Sequence, residues 1–261
     1  MCIKKQLLKF IILSSFLLGQ VDLLNSRFKF TPDISYDLSI QSPKDYLGYE
    51  LGTEYTLYSD VLSYLRTLGK ESDRVSIHPY GKTHEGRDLE YLVITGGKNR
   101  NRLDDIQKNN QRLADPRSIN PAVAKKIIRE NPGIYWLSYN VHGNEASSTE
   151  AVMQVAYRLA AGKDRETQTI LDNSVVILVP CINPDGRDRY VYWYKSAQSH
   201  VTNADQFDYE HDEPWPGGRT NHYWFDLNRD WVWMVHPESK GRIAAYQEWL
   251  PQIHVDYHEM G

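Results

Sequence analysis

Three observations predict that this 261-residue chain folds as an α/β domain. Segments of strand character alternate with segments of helical periodicity along most of its length. The run from Val175 to Ile182 is continuously apolar and rich in β-branched residues, the pattern of a parallel strand covered on both faces. No repeat or low-complexity tract points to a solenoid or fibre.

The elements follow in order. Lys4 and Lys5, then an apolar run from Leu7 to Leu18 with a pair of serines, read as a secretory signal over residues 1–20, too short for a membrane span. Residues 21–44 show no period and read as an extended lead-in to a domain over 45–261. Val61, Leu62, Leu65 and Leu68 recur at helical spacing and predict a helix over 58–69, stopped by Gly69. Residues 74–80 and 89–95 predict a hairpin turning at His84-Glu85-Gly86-Arg87. Residues 96–120 are polar and read as a surface excursion with some helix. A helix is expected over 121–130, ended by Asn131-Pro132-Gly133, and an inner strand over 134–141. Ser147 and Glu150 fit a capping box opening the next helix, with Val152, Val155, Ala156 and Leu159 inward. After the 175–182 strand, residues 183–233 read as a long polar and aromatic connection of the length that is usually functional. A helix over 237–250 with Pro237 in its first turn and a strand over 253–258 complete the reading.

Composition narrows the function. A hydrophobic content of 41% and a charged content of 25% are those of a chain with a core of its own. The net charge of −4 gives no electrostatic basis for binding nucleic acid or an anionic membrane. With the signal segment removed, Cys181 is the sole cysteine, so no internal disulfide is expected in an extracytoplasmic protein. At the end of an apolar strand, it reads as a small buried hydrophobe.

The chemistry is carried by His142-Gly143-Asn144-Glu145 and, far downstream, His258. Two imidazoles and one carboxylate are the usual three ligands of a catalytic zinc ion, which keeps its fourth position for water. His142 and Glu145 follow one predicted strand and His258 ends another, and functional groups gather at such carboxyl ends in α/β sheets. His254 is the main rival for the third place, but it lies nearer the start of its strand. Asp256, on the same side as His258, is positioned to orient its imidazole. His78, His84, His222 and His236 read as surface or loop residues.

Five segments resemble the zinc carboxypeptidases of the carboxypeptidase A type. Tyr80-Gly81-Lys82-Thr83-His84-Glu85-Gly86-Arg87 resembles that family's early hairpin, His142-Gly143-Asn144-Glu145 its first zinc motif, and Asn183-Pro184-Asp185-Gly186 its Asn-Pro-Asp-Gly turn. Asp226-Leu227-Asn228-Arg229-Asp230-Trp231 is similar to its Asp-Leu-Asn-Arg segment, and His258 to its third ligand. The order is the family's own, from about residue 45 onward. The resemblance implies an α/β fold with a mixed, mostly parallel central sheet flanked by helices, and one Zn²⁺ held by His142, Glu145 and His258. It implies hydrolysis of C-terminal peptide bonds, with Asn228 and Arg229 binding the terminal carboxylate of a peptide or protein. A guanidinium fork suits a carboxylate on physical grounds as well.

Two departures from the pattern stand out. Tyr194, in Trp193-Tyr194-Lys195, occupies the place of the family's oxyanion-binding Arg, and Arg219 is the substitute candidate. The family's general-base Glu and closing Tyr are expected beyond residue 261. The sequence therefore reads as an incomplete catalytic domain, secreted or periplasmic, with severely reduced activity as it stands. The competing readings are a zinc deacylase, amidase or cell-wall peptide hydrolase and, in another class, a non-catalytic peptide-binding module.

Overall fold

The structure is a computed structural model that describes residues 34–261 except 116, 118, 202, 260 and 261. The expected signal segment and the lead-in as far as residue 33 lie outside the described residues. From Ser35 onward the chain forms one unit. Ser42 caps α1 (Pro43–Leu47), and α2 (Tyr58–Glu71) follows. The hairpin is β1 (Val75–Lys82) and β2 (Asp88–Ile94). Next come α3 (Gly97–Arg100), α4 (Leu103–Ala114), α5 (Pro121–Glu130) and β3 (Gly133–Tyr139). Then α6 (Ser147–Ala161), α7 (Arg165–Asn173), β4 (Ser174–Val179) and α8 (Pro184–Ala197) precede α9 (Pro237–Trp249) and β5 (Ile253–Tyr257).

The strands form one mixed sheet in the order β1-β2-β4-β3-β5. β3 is parallel to both β4 and β5, while β2 is antiparallel to β1 and β4. β2 alone therefore opposes the common direction. Alternate residues of β2 and β4 feed two cores, as a two-residue side-chain period requires. On one face Leu92, Ile94, Val176 and Leu178 pack with Val61, Leu65 and Leu68 of α2 and Val152, Met153 and Ala156 of α6. On the other, Tyr91, Val93, Val175 and Ile177 meet Ile106 of α4 and Ala245 and Trp249 of α9. Every residue of β4 is buried, as its apolar run predicts.

Four expectations are corrected. Gly69 does not stop α2: the helix continues to Glu71, and the bare Gly69 lets Ile77 of β1 approach closely. The capping box is absent, because Ser147 is the first residue inside α6. Glu259 accepts from the Ser147 backbone N–H and hydroxyl at 2.9 and 2.6 Å, and Glu150 is drawn into the interior. Residues 96–120 are anchored as well as exposed, since the Asn110 side chain donates to the Trp249 and Leu250 carbonyls at 2.6 and 2.7 Å. The 183–233 connection opens with a full helix, α8. Asn183 accepts from the Gly186 N–H at 3.0 Å with Pro184 at the first turn, a start signal legible in the sequence but read only as a turn.

Candidate metal centre

β3 and β5 run side by side in parallel, with Ser138 opposite Asp256 and Tyr139 opposite Tyr257. Their carboxyl ends therefore deliver the segments after Tyr139 and Tyr257 to one place. The turn after β3 is built by Asn140, whose φ of 56° is in the left-handed region that asparagine tolerates. Its amide nitrogen donates to the carbonyls of His142, Gly143 and Glu145 at 2.6, 3.2 and 2.9 Å, folding the chain back on itself. That fold-back brings the Glu145 carboxylate to the His142 ring.

Gly143 fixes the third dimension. A Cβ there would stand 2.3 Å from the Arg187 nitrogen and 2.4 Å from the Gly218 carbonyl oxygen. The turn, the start of α8 and the 217–220 loop thus meet backbone to backbone, as glycine alone allows. Behind them Arg187 is wholly buried. It pairs with Glu150 at 2.5 Å and donates to the carbonyls of Thr56 and Ala146 and to the Asn140 side chain. The hairpin tip joins the same assembly: Thr83 and Arg87 both donate to Asp185 at 2.7 Å, and Arg87 also reaches Asp188 at 2.8 Å. Two of the segments that matched in sequence are thus in contact.

At the centre, His142 Nδ1 lies 2.8 Å from Glu145 Oε1 and 3.3 Å from His258 Nδ1. His258 Nδ1 is 3.2 Å from Glu145 Oε2. One donor atom from each of the three lies within 4.8 Å of the others. His142 and Glu145 are buried, whereas the His258 side chain keeps 29% of its exposure and opens the centre to solvent. Each imidazole turns its far nitrogen to a carboxylate: His142 Nε2 is 3.0 Å from Asp226 Oδ1 and His258 Nε2 is 3.3 Å from Asp256 Oδ2. Such a partner holds the proton on Nε2 and leaves the Nδ1 lone pair facing the centre. Two lone pairs and a carboxylate facing one another at these distances suit a divalent cation. Burial alone would raise the Asp226 carboxyl. The Asn228 N–H and the neighbouring His142 and Arg219 outweigh it and hold the pKa below the ordinary value.

Arg219 stands at the rim, 3.4 Å from Glu145 Oε1 and 3.5 Å from Asp226 Oδ2, with its side chain about half exposed. Asn228 is half-buried in a 3₁₀ turn, Leu227–Arg229, and its N–H bonds Asp226. Arg229 is exposed; its backbone N–H donates to the Asp226 carbonyl at 2.9 Å, while its side chain makes no hydrogen bond or ion pair among the described residues. His254 lies elsewhere, against Ser138 Oγ at 3.1 Å and beside Trp231 and Tyr246. Cys181 is buried, and burial pushes its thiol up to about 12. Asn140 and the contact between Asp226 and His142 escaped the sequence reading, whereas Arg187 reads from the sequence as structural and is so here. Only the acidic start of the Asp226–Trp231 segment hinted at either of the two that escaped.

A sequence profile described as zinc carboxypeptidase matches residues 61–248. Carboxypeptidase 2 of Trichophyton equinum is 21% identical over 214 residues, covering 81% of this chain and 30% of that protein. The metallo-carboxypeptidase of Burkholderia cenocepacia gives a TM-score of 0.50 at 17% identity, over 79% of this chain and 42% of its own. A Burkholderia mallei protein assigned as a carboxypeptidase gives 0.51 at 16% identity, over 79% and 40%. At these identities the likeness to solved structures is one of fold, and the chain spans about 30% of the length of the curated relatives it matches.

Proposed function

Since this chain belongs to the zinc carboxypeptidase family, we propose that it carries the metal centre of a zinc-dependent metallocarboxypeptidase acting on peptides with a free C-terminal carboxylate. His142, Glu145 and His258 would hold the ion through two Nδ1 atoms and a carboxylate, and their convergence on one point is the observation that carries the reading. Zinc bound there supplies Lewis acidity toward a water and toward the scissile carbonyl.

The remaining roles belong to the chain's own side chains. Asp226 and Asp256 keep the two imidazoles in the tautomer whose Nδ1 lone pairs face inward. Arg229, exposed and unpaired among the described residues, receives the substrate's terminal carboxylate, and Asn228 adds a neutral donor beside it. Arg219 meets the charge that develops on the carbonyl oxygen. It sits at the rim of the centre, and its present partners are two carboxylates that bound metal and substrate would compete for. Glu259 is occupied at the start of α6 and is not assigned as the general base, and no described residue is given that role. The charged start and apolar run of residues 1–20 support an extracytoplasmic location.

The test pairs metal analysis with peptide binding. The purified chain is expected to hold zinc at the His142 centre, with binding lost in His258→Ala and kept in His254→Ala. A peptide with a free C-terminus should bind the zinc-loaded chain more tightly than its amidated form, and Arg229→Ala should remove about ten- to a hundredfold of that preference. His258→Ala that binds as many equivalents of zinc as the unaltered chain, or equal affinity for free and amidated peptides, would refute the assignment.

A further inference from the structure

Three residues with no part in the proposed centre converge in a second place. His84 lies in the turn between β1 and β2, while His236 and Glu238 stand at the entry to α9. His84 Nε2 is 3.0 Å from His236 Nδ1 and 3.9 Å from Glu238 Oε2. One donor atom from each lies within 4.8 Å of the others. Glu238 is 1% exposed, and its Oε2 has no hydrogen-bond partner. The other oxygen, Oε1, accepts from the His84 backbone N–H at 3.4 Å. A buried carboxylate oxygen with no donor, facing two imidazoles, is costly unless a proton or a cation completes it.

The surroundings fix which nitrogen is available. Asn221 Oδ1 accepts from the backbone N–H groups of Tyr223 and Phe225, so Asn221 turns its NH₂ toward His236 Nδ1 at 3.0 Å. His236 Nδ1 therefore presents a lone pair, not a proton, to this cluster. The Asn221 N–H competes for that lone pair, which sets the affinity below that of the first centre. The backbone N–H of His236 is held by Asp230 at 3.0 Å, which fixes the residue in the loop. His84 keeps 24% of its side-chain exposure, so solvent reaches the site from that side.

We propose that His84, His236 and Glu238 form a second site for a divalent cation of the zinc class, with water in the remaining position. Two imidazole nitrogens and one carboxylate oxygen select zinc or a similar borderline metal over magnesium or calcium, which prefer all-oxygen shells. The role is a clamp. A cation here ties the hairpin tip to the start of α9 and to the loop leading there from Asp226 and Asp230.

The test is zinc stoichiometry on the full, tag-free chain after chelation and reloading, followed by calorimetric titration. Two equivalents are expected, the weaker one lost in His236→Ala and Glu238→Gln and the tighter one lost in His142→Ala/His258→Ala. Should His236→Ala fail to fold, His84→Asn, altered in an exposed turn, serves in its place, with circular dichroism as the check on folding. A single equivalent lost with His236→Ala but kept with His258→Ala would support this site and sink the first. A single equivalent that survives His236→Ala, or two equivalents in both His236→Ala and His84→Asn, would overturn the proposal.

Discussion

Replacing Arg187 with alanine should destabilise the chain more than any surface change, and the contacts set the size of the effect. The guanidinium is wholly buried and serves Thr56 O twice at 2.8 and 3.1 Å, Ala146 O at 2.8 Å, Asn140 Oδ1 at 3.3 Å and Glu150 Oε1 at 2.5 Å. Its loss strands a carboxylate away from water and leaves two buried carbonyls short of donors. Breaking one side of a buried ion pair costs about 3–5 kcal/mol. Thr56 tempers this, because its N–H and hydroxyl still donate to Glu150 at 2.7 Å each. The expected loss is therefore about 3 kcal/mol, a large share of the roughly 5–15 kcal/mol that holds a domain together. Urea unfolding followed by circular dichroism measures it. Arg187→Lys should recover only part of the loss, since a compact ammonium cannot span the same acceptors. Arg187→Ala combined with Glu150→Gln should cost less than the sum of the single changes, because the stranded charge is gone. Because Arg187 also braces Ala146 and Asn140, zinc affinity should fall alongside stability. A loss under about 1 kcal/mol, or strict additivity in the double variant, would refute the view that this pair supports the turn.

Three further outcomes follow from the same geometry. Gly143→Ala should cost about 1–3 kcal/mol or more and abolish zinc binding at the His142 centre, because a methyl group at 2.3–2.4 Å from backbone atoms forces the turn off α8; thermal melting and the loss of the tighter zinc equivalent report both. In a Cys2→Ser background the remaining thiol should resist alkylation at pH 8 until denaturant is added, since Cys181 is buried and titrates only near 12. Asp164, which caps α7, has its carboxyl held below the ordinary value by the Thr167 hydroxyl and N–H. A lowered folded pKa stabilises above the unfolded pKa, and that contribution disappears as pH falls through the folded value. Stability measured against pH should therefore show a shallower acid limb in Asp164→Asn, and an unchanged limb would count against the cap.

The sequence alone determined the local elements and the identity of the principal donors. Helical spacing marked α2 and α6 and the apolar run marked β4, because these patterns record which side of each element faces the core, while α9 was marked by the proline in its first turn. His142, Glu145 and His258 were legible because metal chemistry restricts residue type and position relative to strand ends. Tertiary structure decided what depends on neighbours distant in the chain. Glu150 looked like a helix cap because the spacing from Ser147 fits, yet the buried Arg187 and Thr56 claim it. His84 and His236 looked like loop residues because their partner is 152 positions away. The parallel pairing of β3 with β5 sets which ends meet, and the absence of a side chain at Gly143 sets how closely the surrounding loops approach. Those contacts depend on long-range packing energies that no local window of sequence contains.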